Sequence, residues 1–153
     1  MRRNEKRREA ALTCRKEILV RFSDVDAMKV AWHGSYVAYL EDGREAFGIA
    51  FPEGLGYADY FKSGYVAPVV NLNINYKQSL RCGDTAIVET RYIPTKAAKI
   101  IFEYTIYRKS DMMVMATAET TQVFTTYEGE MQFTCPEFYE KWKAKWLKEG
   151  DNN

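Results

Sequence analysis

The sequence predicts an α+β domain in which an antiparallel sheet of about five strands packs around one long helix. The first observation is the segment 34–50, where apolar or small residues recur at the three- and four-residue intervals of a helix face. The second is the stretch 65–127, where alternating apolar and polar residues form runs separated by short turns. Strands joined by short turns pair antiparallel, and their apolar face needs a partner. The helix 34–50 is the candidate large enough to cover that face.

Five strands are predicted from β-branched and apolar runs bounded by turn residues. They cover residues 17–23, 65–78, 85–93, 99–108 and 112–127. The second of these runs alternates most regularly, and its apolar positions are Val70, Leu72, Ile74 and Tyr76. This alternation predicts a strand with one buried face. Pro52, Gly54 and Gly56 end the preceding helix, because proline lacks an amide donor and glycine accepts a positive φ.

The two ends of the chain differ from the predicted domain, which spans residues 17–135. Residues 1–16 contain seven Lys or Arg and two Glu, whereas the rest of the chain carries a net charge of −4. We expect residues 1–16 to be a basic flexible leader. We expect no nucleic-acid partner, because the excess of positive charge is confined to this leader. Residues 136–153 form an amphipathic helix and tail. This helix either docks Trp142 and Trp146 on the sheet, which we favour, or lies on a membrane surface or a partner.

Composition excludes several classes of protein. A chain of 153 residues with 46% apolar and 14% aromatic residues is long enough for one domain and too hydrophobic for a disordered chain. Apolar runs are too short for a membrane span, and the first residues lack the apolar core of a signal peptide. Three separated cysteines and one histidine predict free thiols, no metal site and a cytoplasmic location. No phosphate-binding glycine loop is present, so no cofactor is expected.

The segment from Val20 to Gly48 combines a strand end, an acidic turn and a helix start. Residues 18–22 form a short apolar run, and the sequence Ser-Asp-Val-Asp at 23–26 then breaks it with side chains that satisfy turn backbones. Asp26 therefore precedes the amino end of a helix that also carries His33, the only histidine of the chain. Exposed amide groups at such a helix end attract negative charge.

Residues 26–36, DAMKVAWHGSY, with YLE at 39–41 and GR at 43–44, resemble acyl-CoA thioesterases of the 4-hydroxybenzoyl-CoA thioesterase type. The order of predicted elements agrees with that family over about residues 17–127. The resemblance implies the hotdog fold, in which a sheet curls around a central helix. Lys29 stands where the family usually has glycine, and Ser35 where it usually has asparagine. Gly43 replaces a common alanine and suggests a closer approach of helix and sheet.

Asp26 is the leading catalytic candidate. Cleavage of a thioester needs a nucleophile or an activated water, and hydrogen-bond donors for the oxygen that becomes negative. A carboxylate supplies the first requirement, and the amides of His33, Gly34 and Ser35 supply the second. The residues alone favour a role for Asp26 in capping the turn, and Asp24 is a near-equal candidate for that capping role. The resemblance assigns catalysis to the second aspartate of the D-x-D pattern at residues 24–26, which is Asp26, and leaves Asp24 structural.

Other site residues are assigned with less support from the sequence. His33 is either a hydrogen-bonding group at the helix entry or a group that transfers a proton or orients the thioester. Glu41 is either a second acid near the pocket or the ion-pair partner of Arg44, three residues further along the helix. The resemblance implies pantetheine contacts on the second strand and phosphate contacts at the turn into the fourth. The expected substrate-binding residues are Ser35, Glu41, Val66, Ala67, Pro68, Val69, Lys96 and Lys99.

The resemblance implies a thioester hydrolase that acts on acyl-CoA or on an acyl carrier protein thioester. A non-catalytic hotdog module that binds an acyl group or a protein is the main alternative, because Lys29 places a bulky cation on the catalytic loop. A dehydratase of the same fold is less well supported, since its Asp or Glu is usually paired with a suitably spaced histidine. We expect a homodimer or homotetramer, with strand 65–77 at the interface, and no membrane association.

Overall fold

The computed structural model describes residues 12–147, in which seven β-strands and three α-helices are present. The strands are β1 (Leu12–Leu19), β2 (Tyr65–Val66), β3 (Val69–Tyr76), β4 (Thr85–Ile93), β5 (Lys99–Arg108), β6 (Met113–Thr126) and β7 (Met131–Gln132). The helices are α1 (Ser35–Ala50), α2 (Tyr57–Ser63) and α3 (Glu137–Trp146). A short 3-10 turn at Phe22–Asp24 separates β1 from the loop that precedes α1.

The strands form one antiparallel sheet with the order β1-β4-β5-β6-β3, and β2 and β7 pair with the end of β6. Its register places Val88 of β4 opposite Ile106 of β5, and Ile106 opposite Ala116 of β6. These three side chains are buried and form one row of the core. The predicted α+β class, antiparallel sheet and central helix are confirmed, and β4 and β5 have the predicted bounds.

Helix α1 packs against β1 and β4 and supplies the centre of the core. Phe47 is fully buried, and its ring meets the ring of Phe102 on β5 at 5.0 Å. One turn earlier, a Cβ atom at Gly43 would lie 2.6 Å from Oγ1 of Thr90 and 2.8 Å from Cγ1 of Val88. Glycine therefore allows the close approach of helix and sheet that the sequence suggested.

Helix α3 docks on the domain through its two tryptophans. Trp142 is only 1% exposed, and its indole Nε1 donates to the carbonyl of Phe51 at 2.9 Å. Trp146 donates in the same way to the carbonyl of Pro52, also at 2.9 Å. Docking on the sheet is confirmed for Trp142, whose ring lies 5.0 Å from that of Tyr92, whereas Trp146 packs on Phe51 at the end of α1. Among the described residues, no helix has both the length and the apolar character needed to cross a bilayer.

The first strand differs from its prediction. It begins at Leu12 and ends at Leu19, so residues 12–16 of the expected leader belong to the sheet, whereas residues 1–11 lie outside the described part. The charged residues of β1 obscured its pattern. Arg15 finds a partner across the sheet, because its guanidinium binds the carboxylate of Glu89 on β4 at 2.8 Å. Backbone pairing with β4 therefore stabilises a strand that has no clean alternation.

The second predicted strand differs in two respects. It is divided into β2 and β3 at residues 67–68, and most of the apolar face of β3 is exposed, with only Ile74 packed against the core. Val70, Leu72 and Tyr76 are 57%, 43% and 48% exposed. The prediction of a buried face is wrong for the single chain, because β3 is an edge strand and α1 packs against β1 and β4. A single helix that packs on β1 and β4 does not reach the opposite edge of the sheet, where β3 lies.

Candidate active site

The loop before α1 is a tight turn that begins at Asp26. The amide of Asp26 donates to the carbonyl of Val30 at 3.0 Å, and the amide of Lys29 donates to the carbonyl of Asp26 at 2.9 Å. Lys29 has a φ of 64°, in the left-handed region that glycine adopts with least cost. The loop thus follows the path that a glycine would favour, and the exposed Lys29 carries the backbone strain.

Asp26 presents an exposed carboxylate at this turn. Its Oδ1 atom accepts a hydrogen bond from the amide of Met28 at 2.8 Å. Asp26 therefore has the turn-capping role that the sequence left open. That role uses one carboxylate oxygen and fixes the side chain, and the second oxygen remains accessible to a water molecule or a substrate.

Asp24 is held by the surrounding backbone. Its carboxylate accepts a hydrogen bond from the amide of Arg21 at 2.9 Å, and its carbonyl accepts the amide of Trp32 at 2.9 Å and the hydroxyl of Ser35 at 2.8 Å. Partial burial acts to raise the pKa of Asp24, but the hydrogen bonds from Arg21 outweigh it and lower that pKa. These contacts connect the 3-10 turn to the start of α1. They also use the donor hydrogen of the Ser35 hydroxyl, whose oxygen can still accept a hydrogen bond from a substrate.

The amides at the start of α1 are only partly available. The amide of Ser35 donates to the carbonyl of Trp32 at 2.8 Å, whereas the amides of His33 and Gly34 have no backbone acceptor within residues 12–147. The indole ring of Trp32 lies over Gly34, where a Cβ atom would be 2.2 Å from the ring. Two of the three proposed donors thus remain available, and Gly34 is required for the position of the Trp32 ring.

His33 lies at the surface beside these amides. Its ring centroid is 4.9 Å from that of Trp32, so the two rings form a small exposed aromatic pair. The carbonyl of His33 accepts a hydrogen bond from the hydroxyl of Tyr76 at 2.8 Å. Because Tyr76 ends β3, this bond links the helix entry to the edge strand of the sheet.

A cavity of about 550 Å³ lies between α1, α2, β2 and the sheet. This volume lies within the range of small-molecule binding sites. Most of its lining is aromatic or apolar and consists of Leu55, Tyr57, Tyr60, Phe61, Tyr65, Val66, Ala67, Pro68, Phe102 and Tyr127. Its polar lining consists of Glu41, Arg44, Glu45 and Gln122.

The structure brings together some of the expected site residues and separates others. Glu41, Val66, Ala67 and Pro68 line the cavity. The remaining expected residues are outside the cavity lining of the described chain: Asp26, His33, Gly34, Ser35, Val69, Lys96 and Lys99. Lys99 pairs with Val123, the neighbour of the cavity residue Gln122, so the turn that carries both lysines borders the same strand. The roles of all these residues stay predictions.

Sequence reasoning did not identify several cavity residues. Arg44 was considered only as the partner of Glu41, and the two side chains do approach at 3.7 Å. Its position three residues after Glu41 on the same helix face was the available signal. Tyr60 and Gln122 carried no comparable signal, because only the tertiary structure brings α2 and β6 to the same cavity.

Comparison with known proteins agrees with the motif at residues 26–44. The family model of the Thioesterase-like superfamily matches residues 20–145. YneP of Bacillus subtilis (strain 168), which is provisionally named an acyl-CoA thioesterase, is 35% identical over 105 residues. This similarity covers 68% of the chain and 75% of YneP.

Solved structures share the same fold. The DHNA-CoA thioesterase of Staphylococcus aureus aligns with a TM-score of 0.77 and 24% identity, covering 87% of this chain and 89% of that one. A 4-hydroxybenzoyl-CoA thioesterase crystallised with 4-hydroxybenzoyl-CoA aligns with a TM-score of 0.72 and 16% identity, covering 84% of this chain and 96% of that one. Both similarities confirm the hotdog architecture.

Proposed function

Because the chain belongs to the thioesterase-like superfamily, we propose that it hydrolyses an acyl-CoA or acyl carrier protein thioester to a free acid and a thiol. The observation that carries this proposal is the exposed Asp26 carboxylate in the loop directly before the amino end of α1. The provisional name of YneP supports an acyl-CoA substrate. Three free cysteines among the described residues support the cytoplasm as its location.

Asp26 acts in one of two ways. As a nucleophile, it attacks the thioester carbonyl, releases the thiolate and forms an anhydride that water then hydrolyses. As a general base, it removes a proton from the water that attacks the carbonyl directly. In both routes the carbonyl oxygen becomes negative. The amides of His33 and Gly34, which have no backbone acceptor in the described chain, stabilise that charge.

A second chain completes the site in this proposal. β3 is an edge strand whose unpaired backbone groups and exposed Val70 and Leu72 favour pairing with another β3. Such pairing brings the Asp26 loop of one chain toward the segment 66–69 of the other, next to the cavity. Lys96 and Lys99, at the turn into β5, contact the phosphates of coenzyme A. The resulting unit is a homodimer or an assembly of two such dimers.

Thiol release from a panel of short, long and aromatic acyl-CoAs tests the activity. Asp26→Asn keeps the size of the side chain and removes its basicity, so we expect kcat to fall by about 10² to 10⁴-fold. Asp42→Asn is the matched control, because Asp42 is an exposed carboxylate on α1 outside the candidate site. Wild-type turnover by the Asp26 variant would refute the mechanism, and release of thiol from no substrate would favour a non-catalytic acyl-binding module.

Complementation tests the shared site. An Asp26→Asn chain is mixed with a chain whose segment 66–69 is altered, so that only the mixed dimer contains one intact site. We expect partial recovery of activity. Verified mixed dimers without activity, or full activity in a sedimenting monomer, would exclude sites formed between two chains.

A further inference from the structure

The cavity has an arginine whose donors are largely unused by the protein. The Arg44 side chain is 19% exposed, yet its contacts are long: Nη1 lies 3.4 Å from the hydroxyl of Tyr104, and Nη2 lies 3.7 Å from Oε1 of Glu41. A guanidinium has five N–H donors. Tyr104 also has a closer partner, because its hydroxyl lies 2.7 Å from Oγ1 of Thr120. Arg44 therefore has donors available to a ligand in the cavity.

Tyr60 adds a second polar group to the same wall. Its hydroxyl forms no hydrogen bond with a described residue, and its ring packs edge-on against Phe138 at 6.2 Å. Burial raises the pKa of Tyr60, and the nearby charge of Arg44 only partly opposes that effect. The hydroxyl thus stays protonated at neutral pH and can donate to an acceptor.

Gln122 holds another part of the cavity lining in place. It is 8% exposed, and its Nε2 donates to the carbonyl of Ala67 at 2.8 Å. Ala67 lies between β2 and β3, so this bond positions the segment 66–68 next to the cavity. Apart from the exposed carboxylates of Glu41 and Glu45 on α1, the other walls are apolar or aromatic. The cavity therefore combines a hydrophobic passage with a polar region formed by Arg44 and Tyr60.

The ion pair of Arg44 with Glu41 is easily exchanged. The Glu41 side chain is 68% exposed, and a loose pair of this kind at a helix surface contributes little to stability. Glu41 can turn toward solvent while Arg44 remains covered. A ligand carboxylate that replaces Glu41 would gain a two-pronged contact with the guanidinium and a hydrogen bond from Tyr60.

We propose that this cavity binds the acyl group of the substrate and selects acyl groups with a carboxylate at their far end. Arg44 and Tyr60 bind that carboxylate, and the aromatic walls enclose the carbon chain. The substrate class is thus the monothioester of a dicarboxylic acid. This assignment rests on the proposed thioesterase function, and it makes Arg44 and Tyr60 determinants of specificity.

The test compares acyl-CoAs of equal chain length, namely hexanoyl-CoA, 6-hydroxyhexanoyl-CoA and adipoyl-CoA. We expect kcat/KM for adipoyl-CoA to exceed that for hexanoyl-CoA at least tenfold, with the hydroxyl compound between them. Arg44→Met should abolish this ratio, because the adipoyl carboxylate then has no guanidinium to bind. Tyr60→Phe should reduce the ratio severalfold. Arg108→Met is the control, because Arg108 binds Asp111 at the distant turn between β5 and β6.

A second variant and a binding measurement separate the possible failures. If Arg44→Met does not fold, Arg44→Lys keeps the charge and loses the two-pronged geometry, so the adipoyl preference should fall without disappearing. Calorimetric titration of the Asp26→Asn protein with adipoyl-CoA and hexanoyl-CoA measures selectivity without hydrolysis. Tighter binding of adipoyl-CoA that Arg44→Met removes would support the cavity assignment even if the protein hydrolyses nothing. Equal affinities, or equal turnover of all three thioesters, would overturn it while leaving the thioesterase proposal intact.

Discussion

Replacement of Trp142 by phenylalanine tests whether α3 is an integral part of the fold. Trp142 is 1% exposed, and its ring packs 5.0 Å from that of Tyr92 on β4 and 6.2 Å from that of Phe47 on α1. Its Nε1 group also pairs with the carbonyl of Phe51 at the end of α1. One side chain therefore joins α3, α1 and the sheet.

Two losses set the size of the effect. Phenylalanine cannot donate to the part-buried Phe51 carbonyl, and the loss of a partner for such an acceptor costs about 1–3 kcal/mol. The smaller ring also gives up buried apolar contact, which adds about 1 kcal/mol. We expect the free energy of unfolding to fall by about 2–4 kcal/mol. For a chain of this length, each kcal/mol lowers Tm by about 2–4 °C.

Trp146→Phe is a matched control within the same helix. Trp146 also donates from Nε1 to a backbone carbonyl at 2.9 Å, that of Pro52, but it is half-buried. Water can replace this bond, so we expect a loss of at most about 1 kcal/mol. Urea unfolding followed by circular dichroism measures both variants. Equal losses of unfolding free energy for the two variants would show that burial of Trp142 adds nothing. A loss below about 1 kcal/mol for Trp142→Phe would show that α3 is not docked, because an undocked helix is insensitive to the substitution.

Three further changes test individual features. Lys29→Gly should raise the free energy of unfolding by about 0.5–1 kcal/mol, because glycine relieves the strain at the φ of 64°. The greater flexibility of glycine in the unfolded chain offsets part of this gain. Lys29→Ala should show no such gain in urea unfolding. Gly43→Ala should lower Tm by a few degrees, since the crowding against Val88 and Thr90 costs about 1–3 kcal/mol and exceeds the gain in helix propensity; a higher Tm would contradict that close contact. Burial acts to raise the pKa of Glu89, but hydrogen bonds from arginines on β1 and β4 outweigh this effect and lower that pKa. The ionised Glu89 therefore stabilises the folded protein fully above the ordinary pKa of 4.5, and this stabilisation is lost as pH falls below that value. Glu89→Gln should therefore cost about 1–3 kcal/mol at pH 7 and progressively less below pH 4.5 in unfolding measured across pH, and a pH-independent cost would oppose this assignment.

Local patterns in the sequence were sufficient for the central elements of the fold. The helix-period pattern at 34–50 and the alternation at 99–108 gave α1 and β5 almost to the residue, because each of these elements buries one face of its own side chains. The acidic turn and the position of Asp26 before α1 were also readable, since turn-capping residues act within a few positions of the chain. Family resemblance then supplied the hotdog arrangement.

Only the tertiary structure decided which faces are covered and which residues meet. Alternation identified the apolar face of β3, but its exposure depends on where α1 packs, which β3 itself does not encode. β1 was hidden by its charges, because Glu89, 74 residues away, provides the partner that Arg15 requires. The cavity also depends on residues that are far apart in the sequence. Arg44 and Tyr60 belong to different helices, and both line one cavity because the tertiary fold brings α1, α2 and β6 together there, beyond the reach of any local periodicity.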